Sequence, residues 1–132
     1  MIDIENEVYT SVSNAVKTAH SDVKTASGTV LSPPSFPFLC IEETDNYCYE
    51  SSQTNDLENH CVLTYEINVF TNKTSGKKAQ CKEIFKTADS EMLSMGFSRI
   101  MTNPISLDDA TKQRIFARYQ AVVSKDKVIY RR

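Results

Sequence analysis

The chain has 132 residues and a net charge of −2, with 40% apolar and 24% charged residues. These values are typical of one soluble globular domain, since domains cluster near about 100–150 residues. We therefore expect residues 1–132 to form a single domain. The small negative charge favours neither nucleic acid nor an anionic membrane as a partner. The chain has three glycines, and no two have the spacing of a phosphate-binding loop, which excludes the common nucleotide-binding motifs.

The first predicted element is a helix at about residues 2–20. Apolar residues from Ile4 to Ala19 recur at helical spacing, and Asp3 and Glu5 suit a helix N-terminus. The helical pattern of apolar residues weakens in the next segment, which is rich in serine and threonine. Two prolines then forbid helix and predict an extended chain. The place of segment 21–34 in the fold is left open.

A strand is predicted at 36–43, where apolar residues follow the prolines. The pair Asp45-Asn46 is typical of a turn, and a short partner strand is predicted at 47–52. The polar segment 51–58 is predicted to be an exposed loop.

The centre of the chain has the strongest periodicity. From Cys61 to Val69 every second residue is apolar, which predicts a strand with one buried face. After the loop 71–76 the period changes to three and four residues, and this stripe predicts a helix. Its apolar positions are Cys81, Ile84, Phe85, Ala88, Met92 and Met95. Gly96 follows as a helix stop, and the stripe should pack on the strand face that carries Leu63, Tyr65, Ile67 and Val69.

The last part of the chain predicts three more strands, at 97–102, at Gln113–Ser124 and at 127–132. The first should end at Asn103-Pro104, and one helical turn is predicted at 106–109. The order is a helix, three strands, a helix and three strands. Because the strands are grouped in runs, the predicted fold class is α+β with a mainly antiparallel sheet.

The four cysteines, Cys40, Cys48, Cys61 and Cys81, include no CxxC pair. They are predicted to be free thiols, which fits a reducing cytosol. The N-terminus has no export-signal pattern, and no apolar run approaches about 18 residues. A cytosolic protein without a membrane span is therefore expected.

Candidates for chemistry are weak. His60 and Cys61 should point to opposite faces of a strand, so they cannot form a nucleophile–base pair with each other. A zinc site from Cys48, His60 and Cys61 lacks a fourth ligand and the usual paired spacing. The acidic cluster of Glu42, Glu43 and Asp45 has the residue types of acid–base or metal chemistry, but solvated carboxylates beside a turn are the more common case. Lysines at positions 73, 77, 78 and 82 are interpreted as solubilising, because no aromatic residues alternate with them. No catalytic, cofactor or metal site is predicted.

One strand face indicates an interface. Opposite the core-facing positions of the strand Gln113–Ser124 lie Arg114, Phe116, Arg118 and Val122. Arginine and aromatic residues are enriched in protein interfaces. The alternative, that Phe116 and Val122 pack under the second helix or a loop, is equally open at this stage.

Taken together, the order and spacing of these elements resemble a known family. The resemblance is carried by a helix, Ser35-Phe36-Pro37-Phe38 opening a strand, Glu42 and Asp45-Asn46 at its end, the strand from Tyr65 to Phe70, a helix ending in the run from Met95 to Arg99, a Pro104 loop, Arg114 with Arg118-Tyr119, and a final run from Val128 to Arg131. This pattern is similar to the tail-terminator or tail-completion proteins of long-tailed bacteriophages and prophages, which lie at the head–tail junction. The resemblance spans about the whole chain, and segment 21–34 has no assigned place in it.

The resemblance implies a structural virion protein with no catalytic residues and no cofactor. Its fold would be a mixed sheet with two helices packed on one face. Such proteins form rings, typically hexamers, that cap the tail tube and face the head connector. The loops 51–58 and 71–76 would then contact neighbouring rings. The expected partners are copies of the chain, a tail-tube protein and a head-connector or head-closure protein, but neither a membrane nor specific nucleic acid. The protein would be made in the host cytoplasm and located in the virion.

Two other classes stay open. One is a related assembly component, either a head-closure adaptor or a tail-tube subunit. A tube subunit should polymerise without limit, whereas a terminator should stop at one closed ring. The other is a small ligand-binding or cysteine-dependent enzyme domain, which would require a buried polar pocket containing Cys61 or the acidic cluster.

Overall fold

A computed structural model of the chain describes residues 1–28, 30, 32–48, 60–105 and 110–131, and the side chains of Cys48 and Arg131 lie outside that description. The order of elements is α1 (Glu5–Ala19), β1 (Lys24–Ser27), β2 (Phe38–Cys48), β3 (His60–Thr71), α2 (Lys77–Met95), β4 (Ser98–Ile105), β5 (Gln113–Ser124) and β6 (Ile129–Arg131). The predicted α+β class and the order of helices and strands are confirmed.

The strands form one mixed sheet with the order β1-β2-β3-β5-β4, and β6 pairs with β5 beyond the end of β4. Only β1 and β2 are parallel among the described strand pairs. The central pair is β3 with β5, whose antiparallel register runs from His60 opposite Ser124 to Thr71 opposite Gln113. β2 pairs with β3, and β4 and β6 pair with β5, so these two long strands form the centre of the sheet.

Both helices pack on one face of the sheet. The buried core contains Val8, Val12 and Val16 from α1, Ile84, Ala88 and Met92 from α2, and alternate residues of β3 and β5, among them Leu63, Tyr65, Ile67, Val69, Ala117 and Tyr119. The stripe on α2 thus lies against the strand face that periodicity predicted. Tyr65 and Phe97 meet edge to face, with ring centroids 5.4 Å apart. Neither helix of the described residues is long and apolar enough to cross a membrane.

The ends of the helices follow from local chemistry. Asp3 Oδ1 accepts a hydrogen bond from the backbone N–H of Glu5 at 3.1 Å, at the start of α1. α2 ends at Met95, and the next residue, Gly96, has a φ of 111° in the left-handed region. The Phe97 N–H donates to the Met92 carbonyl at 3.1 Å. The predicted glycine stop is confirmed. A Cβ at Gly96 would lie 3.0 Å from Ile129 Cγ2, so both conformation and space favour glycine here.

The predicted turn at Asp45-Asn46 is wrong. β2 is a single strand of 11 residues that continues through these positions. A bulge between Glu43 and Asp45 inserts Thr44 as an extra residue, and such a bulge bends a strand without ending it. Of the separate strand predicted at 47–52, the first two residues belong to β2 and positions 49–52 lie outside the described residues.

Segment 21–34 contains a strand that the sequence did not predict. β1 has four residues and pairs in parallel with β2, with Lys24 opposite Phe38 and Ser27 opposite Ile41. Beyond it, Val30 and Phe36 pack on a small second cluster formed by Phe38, Cys40 and Phe70. This cluster lies on the sheet face opposite the helices.

Two predicted strand ends are also corrected. β4 does not stop at Asn103-Pro104 but continues to Ile105, with Pro104 opposite Ile115. Proline is tolerated in β4 because β4 lies at the edge of the sheet, where the N–H side of a residue can face away from the neighbouring strand. β6 begins at Ile129 instead of residue 127, since Lys127 has a φ of 65° and belongs to the turn after β5. The helical turn predicted at 106–109 lies outside the described residues.

Candidate interaction surface on the outer face of the sheet

The sheet face that points away from both helices is here called the outer face. Alternate residues of β3 and β5 lie on it, in the register pairs Val62–Val122, Thr64–Gln120, Glu66–Arg118, Asn68–Phe116 and Phe70–Arg114. The four residues predicted as an interface, Arg114, Phe116, Arg118 and Val122, are therefore brought together on one face. Packing of Phe116 and Val122 under the second helix is wrong, because α2 lies on the other face with Ile115 and Val123.

Arg118 is held by its own chain. Its Nε and Nη2 both donate to Glu66 Oε2, at 3.0 and 2.8 Å. The guanidinium carbon also lies 5.8 Å from the centroid of the Phe116 ring. The Arg118 and Glu66 side chains keep 41% and 21% of their surface exposed. The pair is thus orientated in advance and still accessible, which lowers the entropy cost of a further contact.

Other register pairs of β3 and β5 on the outer face extend this polar network. Arg114 Nε donates to Asn68 Oδ1 at 2.8 Å, and its guanidinium carbon lies 5.4 Å from the centroid of the Phe70 ring. Gln120 Nε2 donates to Thr64 Oγ1 at 3.1 Å. Cross-strand pairs of this kind stabilise a sheet and orient its side chains, so these hydrogen bonds define the positions of the polar groups on this part of the outer face.

At one end of the outer face, the cross-strand neighbours are apolar or aromatic instead of polar. Tyr47, Val62, Val122 and Tyr130 lie side by side on β2, β3, β5 and β6. Val62 and Val122 lie on the two central strands, whereas Tyr47 and Tyr130 flank them and are 50% and 49% exposed. Tyrosines and arginines on one sheet face have the composition of a recognition surface, since both residue types dominate interface energies.

The acidic cluster is divided between the two faces of β2. Glu42 lies opposite Glu66 on the outer face, whereas Glu43 points to the helix side and accepts a hydrogen bond from the Tyr65 hydroxyl at 2.9 Å. Burial, together with nearby Asp3 and Glu5, raises the pKa of Glu43. Among the described residues, no strand pairs with β2 on its free side from Glu42 onward. Charges and a bulge at such an edge discourage unwanted strand pairing.

The cysteine and histidine candidates are not brought together as a reactive site. Cys61 is buried on the helix side, on the opposite face from His60. His20 Nε2 instead lies 3.1 Å from Thr87 Oγ1. Cys40, Cys61 and Cys81 are not in disulfides, and burial raises the pKa of Cys81 to about 11. The described residues contain no cluster of three metal-ligating side chains, and the side chain of Cys48 lies outside them.

Sequence reasoning missed several residues of these surfaces. Glu66, Tyr47 and Tyr130 complete the outer face, but only the strand register reveals them as neighbours of the predicted positions. Two of the lysines interpreted as solubilising, Lys78 and Lys82, line a groove between α2 and β4. Their four-residue spacing on a helix was the available signal.

Comparison with known proteins finds a solved structure of similar fold. No protein-family model matches the chain, and no curated protein sequence matches it. Among solved structures, the fold is similar to a chain described as "Virion of native gene transfer agent (GTA) particle", with a TM-score of 0.60 and 13% sequence identity. The similarity covers 89% of this chain and 91% of the other. At this identity the comparison establishes a common fold.

Proposed function

We propose that the chain is a non-catalytic structural protein of a phage or prophage virion. It forms a ring that caps the tail tube and joins it to the head connector. The observation that carries the proposal is the fold shared with a chain of a gene transfer agent virion over 89% of this sequence. The order of motifs from Ser35 to Arg131, which resembles tail-terminator proteins, supports the same assignment independently of the structure.

In this proposal the outer face meets a neighbouring subunit of the ring. Arg114, Phe116, Arg118 and Val122 supply the contact, and the exposed Tyr47 and Tyr130 extend it. A ring of identical subunits needs two different patches that dock into each other. The held guanidinium of Arg118 has five N–H donors, and two of them bind Glu66. Among the described residues Glu66 is the hydrogen-bond partner of this guanidinium, so in this proposal the remaining donors bind a carboxylate or carbonyl of the next subunit.

Deletion of the gene from the phage or prophage genome tests this role, with electron microscopy of the particles produced. A tube without its cap has no signal to stop growing, so tails of variable length without attached heads are expected. Expression of the wild-type chain from a plasmid should restore tails of uniform length joined to heads.

The same experiment separates the alternatives. A complete loss of tails would identify a tube subunit and contradict the capping role. Tails of uniform length beside detached heads would identify a head-closure adaptor. Particles indistinguishable from wild type would contradict a virion role altogether.

A further inference from the structure

A groove of about 560 Å³ lies between α2 and β4, on the helix side of the sheet. Phe85, Pro104 and Ile115 make its apolar part, and cations line its rim: Lys78, Lys82 and Lys86 on α2, and Arg99 on β4. The three lysines are four residues apart along the helix, which places them in one row on one side of it.

The groove carries an excess of positive charge. Asp89 is its one acidic lining residue among those described, and Asp89 already binds Arg99 Nη1 at 2.7 Å and the Tyr119 hydroxyl at 2.6 Å. Lys86 lies 3.6 Å from Glu83, but both side chains are highly exposed, so this ion pair contributes little to stability. An apolar floor beside these cations lowers the local dielectric once a partner covers the groove, which strengthens contacts with anions. The groove therefore fits an acidic protein surface.

This chain has such a surface at the other side of the fold. The segment before α1 is held against β2 by a hydrogen bond that Asn46 Nδ2 donates to the Ile2 carbonyl at 2.8 Å. This contact brings Asp3 and Glu5, at the start of α1, to the side of the fold that carries Glu43 of β2, and Asp3 Oδ1 accepts from the Glu5 N–H at 3.1 Å. These three carboxylates, here called the acidic edge, share the helix side of the sheet with the groove. In the strand order, β2 is separated from β4 by β3 and β5, a distance of roughly 14 Å at the usual strand spacing.

We propose that the groove receives the acidic edge of a second copy of this chain. A contact between two different patches on identical subunits is heterologous, and such contacts repeat head to tail until a ring closes. The inference deepens the proposed ring function and rests on it. It assigns two further contact surfaces, the groove and the acidic edge, both on the helix side, in addition to the outer face.

Charge reversal tests the contact in solution. One variant, Lys82→Glu with Lys86→Glu, reverses the groove, and the other, Asp3→Lys with Glu5→Lys, reverses the acidic edge. All four side chains lie at the protein surface. A control variant, Lys17→Glu with Lys125→Glu, changes the net charge by the same amount as the groove variant at exposed positions outside the groove. Circular dichroism checks that each protein is folded, and Glu5→Lys alone replaces the acidic-edge variant if the loss of the Asp3 helix contact unfolds it.

Sedimentation velocity over a range of concentrations gives the readout. The wild type and the control should form the same closed oligomer, and each reversed variant alone should lose it. An equimolar mixture of the two reversed variants should regain the oligomer, because each reversed groove then meets a reversed acidic edge. Since the contacts are ionic, raising the salt concentration should weaken assembly of the wild type.

Three results would overturn the inference: assembly of either reversed variant as wild type, failure of the mixture to assemble, or a wild type that stays monomeric at every concentration. The deletion phenotype is a separate result. Tails of variable length together with an unimpaired groove variant would leave the capping role standing and remove only the groove contact. Assembly by the mixture together with normal particles after deletion would leave the groove contact standing and contradict the capping role.

Discussion

At the scale of single residues, Glu43 owes its environment to its position on the helix side of β2, opposite Tyr65. Alternation along β2 places Glu43 on the same face as Ile41, ahead of the bulge, and burial on that face raises the pKa of its carboxyl. A carboxyl with a raised folded-state pKa stabilises the fold in its protonated form, below the unfolded-state pKa, and this contribution is lost as the pH rises through the folded-state pKa.

Replacing Glu43 with Gln should therefore raise the melting temperature at pH 7, because the amide is uncharged and still accepts the hydrogen bond from the Tyr65 hydroxyl. The gain should disappear near pH 4, where the carboxyl is itself protonated. Thermal unfolding at both pH values measures this. Asp45→Asn, which changes an exposed carboxylate nearby, should show no comparable gain. A lower melting temperature for Glu43→Gln at pH 7 would contradict the assignment.

The buried cysteines lead to a second residue-scale prediction. Burial raises the pKa of both Cys40 and Cys81, so their thiols stay protonated and shielded near neutral pH, and thiolate is the reactive form. Iodoacetamide at pH 7.5 should leave both unmodified in the folded protein. In denaturant without reductant, mass spectrometry should find four alkylated cysteines. Fewer than four would reveal a disulfide and contradict the prediction of free thiols, which for Cys48 rests on the sequence alone.

At the scale of elements, the packing of α2 on the central strands can be measured. Ile84 is 1% exposed, and its truncation to alanine leaves a cavity between α2 and the sheet. The cost should be about 2–5 kcal/mol of unfolding free energy, observed as a lower midpoint in urea. Glu83→Ala, the exposed neighbour on the same helix, should change stability by less than about 0.5 kcal/mol. Equal effects of the two substitutions would contradict the packing.

The elements that the sequence predicted well are those whose pattern of buried residues repeats many times. β3, β5 and α2 each show several apolar residues at one period, and these boundaries are close to the observed ones. β1 has four mostly polar residues, and its strand conformation comes from pairing with β2, which no local pattern encodes. Asp45-Asn46 resembles a turn locally, but pairing with β3 carries the strand through it. Pro104 is accommodated because its strand is at an edge.

The same reasoning applies to the candidate surface. Alternation along β5 was enough to place Arg114, Phe116, Arg118 and Val122 on one face. Their partners on β3 and the flanking tyrosines depend on register, and for Tyr47 the face itself depends on the bulge. Which side chains touch across a sheet follows from the tertiary fold and not from the period of one strand.

At the scale of the whole molecule, Arg118 connects the stability of the subunit with its proposed assembly. Arg118→Glu should abolish the ring, as expected for an interface residue. It also places a third carboxylate in the row that contains Glu42 and Glu66, and should cost about 1–2 kcal/mol because a charge-assisted contact is lost. Native mass spectrometry and urea unfolding, performed in parallel, separate the two effects.

A matched double variant, Glu66→Arg with Arg118→Glu, restores the ion pair in the reverse direction. It should recover the stability of the wild type and still fail to form the ring, since the charge presented to the neighbour stays reversed. Ring formation by the double variant would show that Arg118 matters only within its own subunit. Ring formation by the single variant would remove β5 from the interface.

The central position of β3 and β5 has a consequence for the synthesis of the protein. β3 ends at Thr71, but the strand that pairs with it is complete only at Ser124. A chain emerging from the ribosome therefore displays one side of β3 until 53 more residues have been translated, from position 72 through position 124. Non-local pairing of this kind is slow and leaves nascent chains open to aggregation. Slow induction at low temperature should favour soluble protein over inclusion bodies, and truncations before Ser124 should be insoluble.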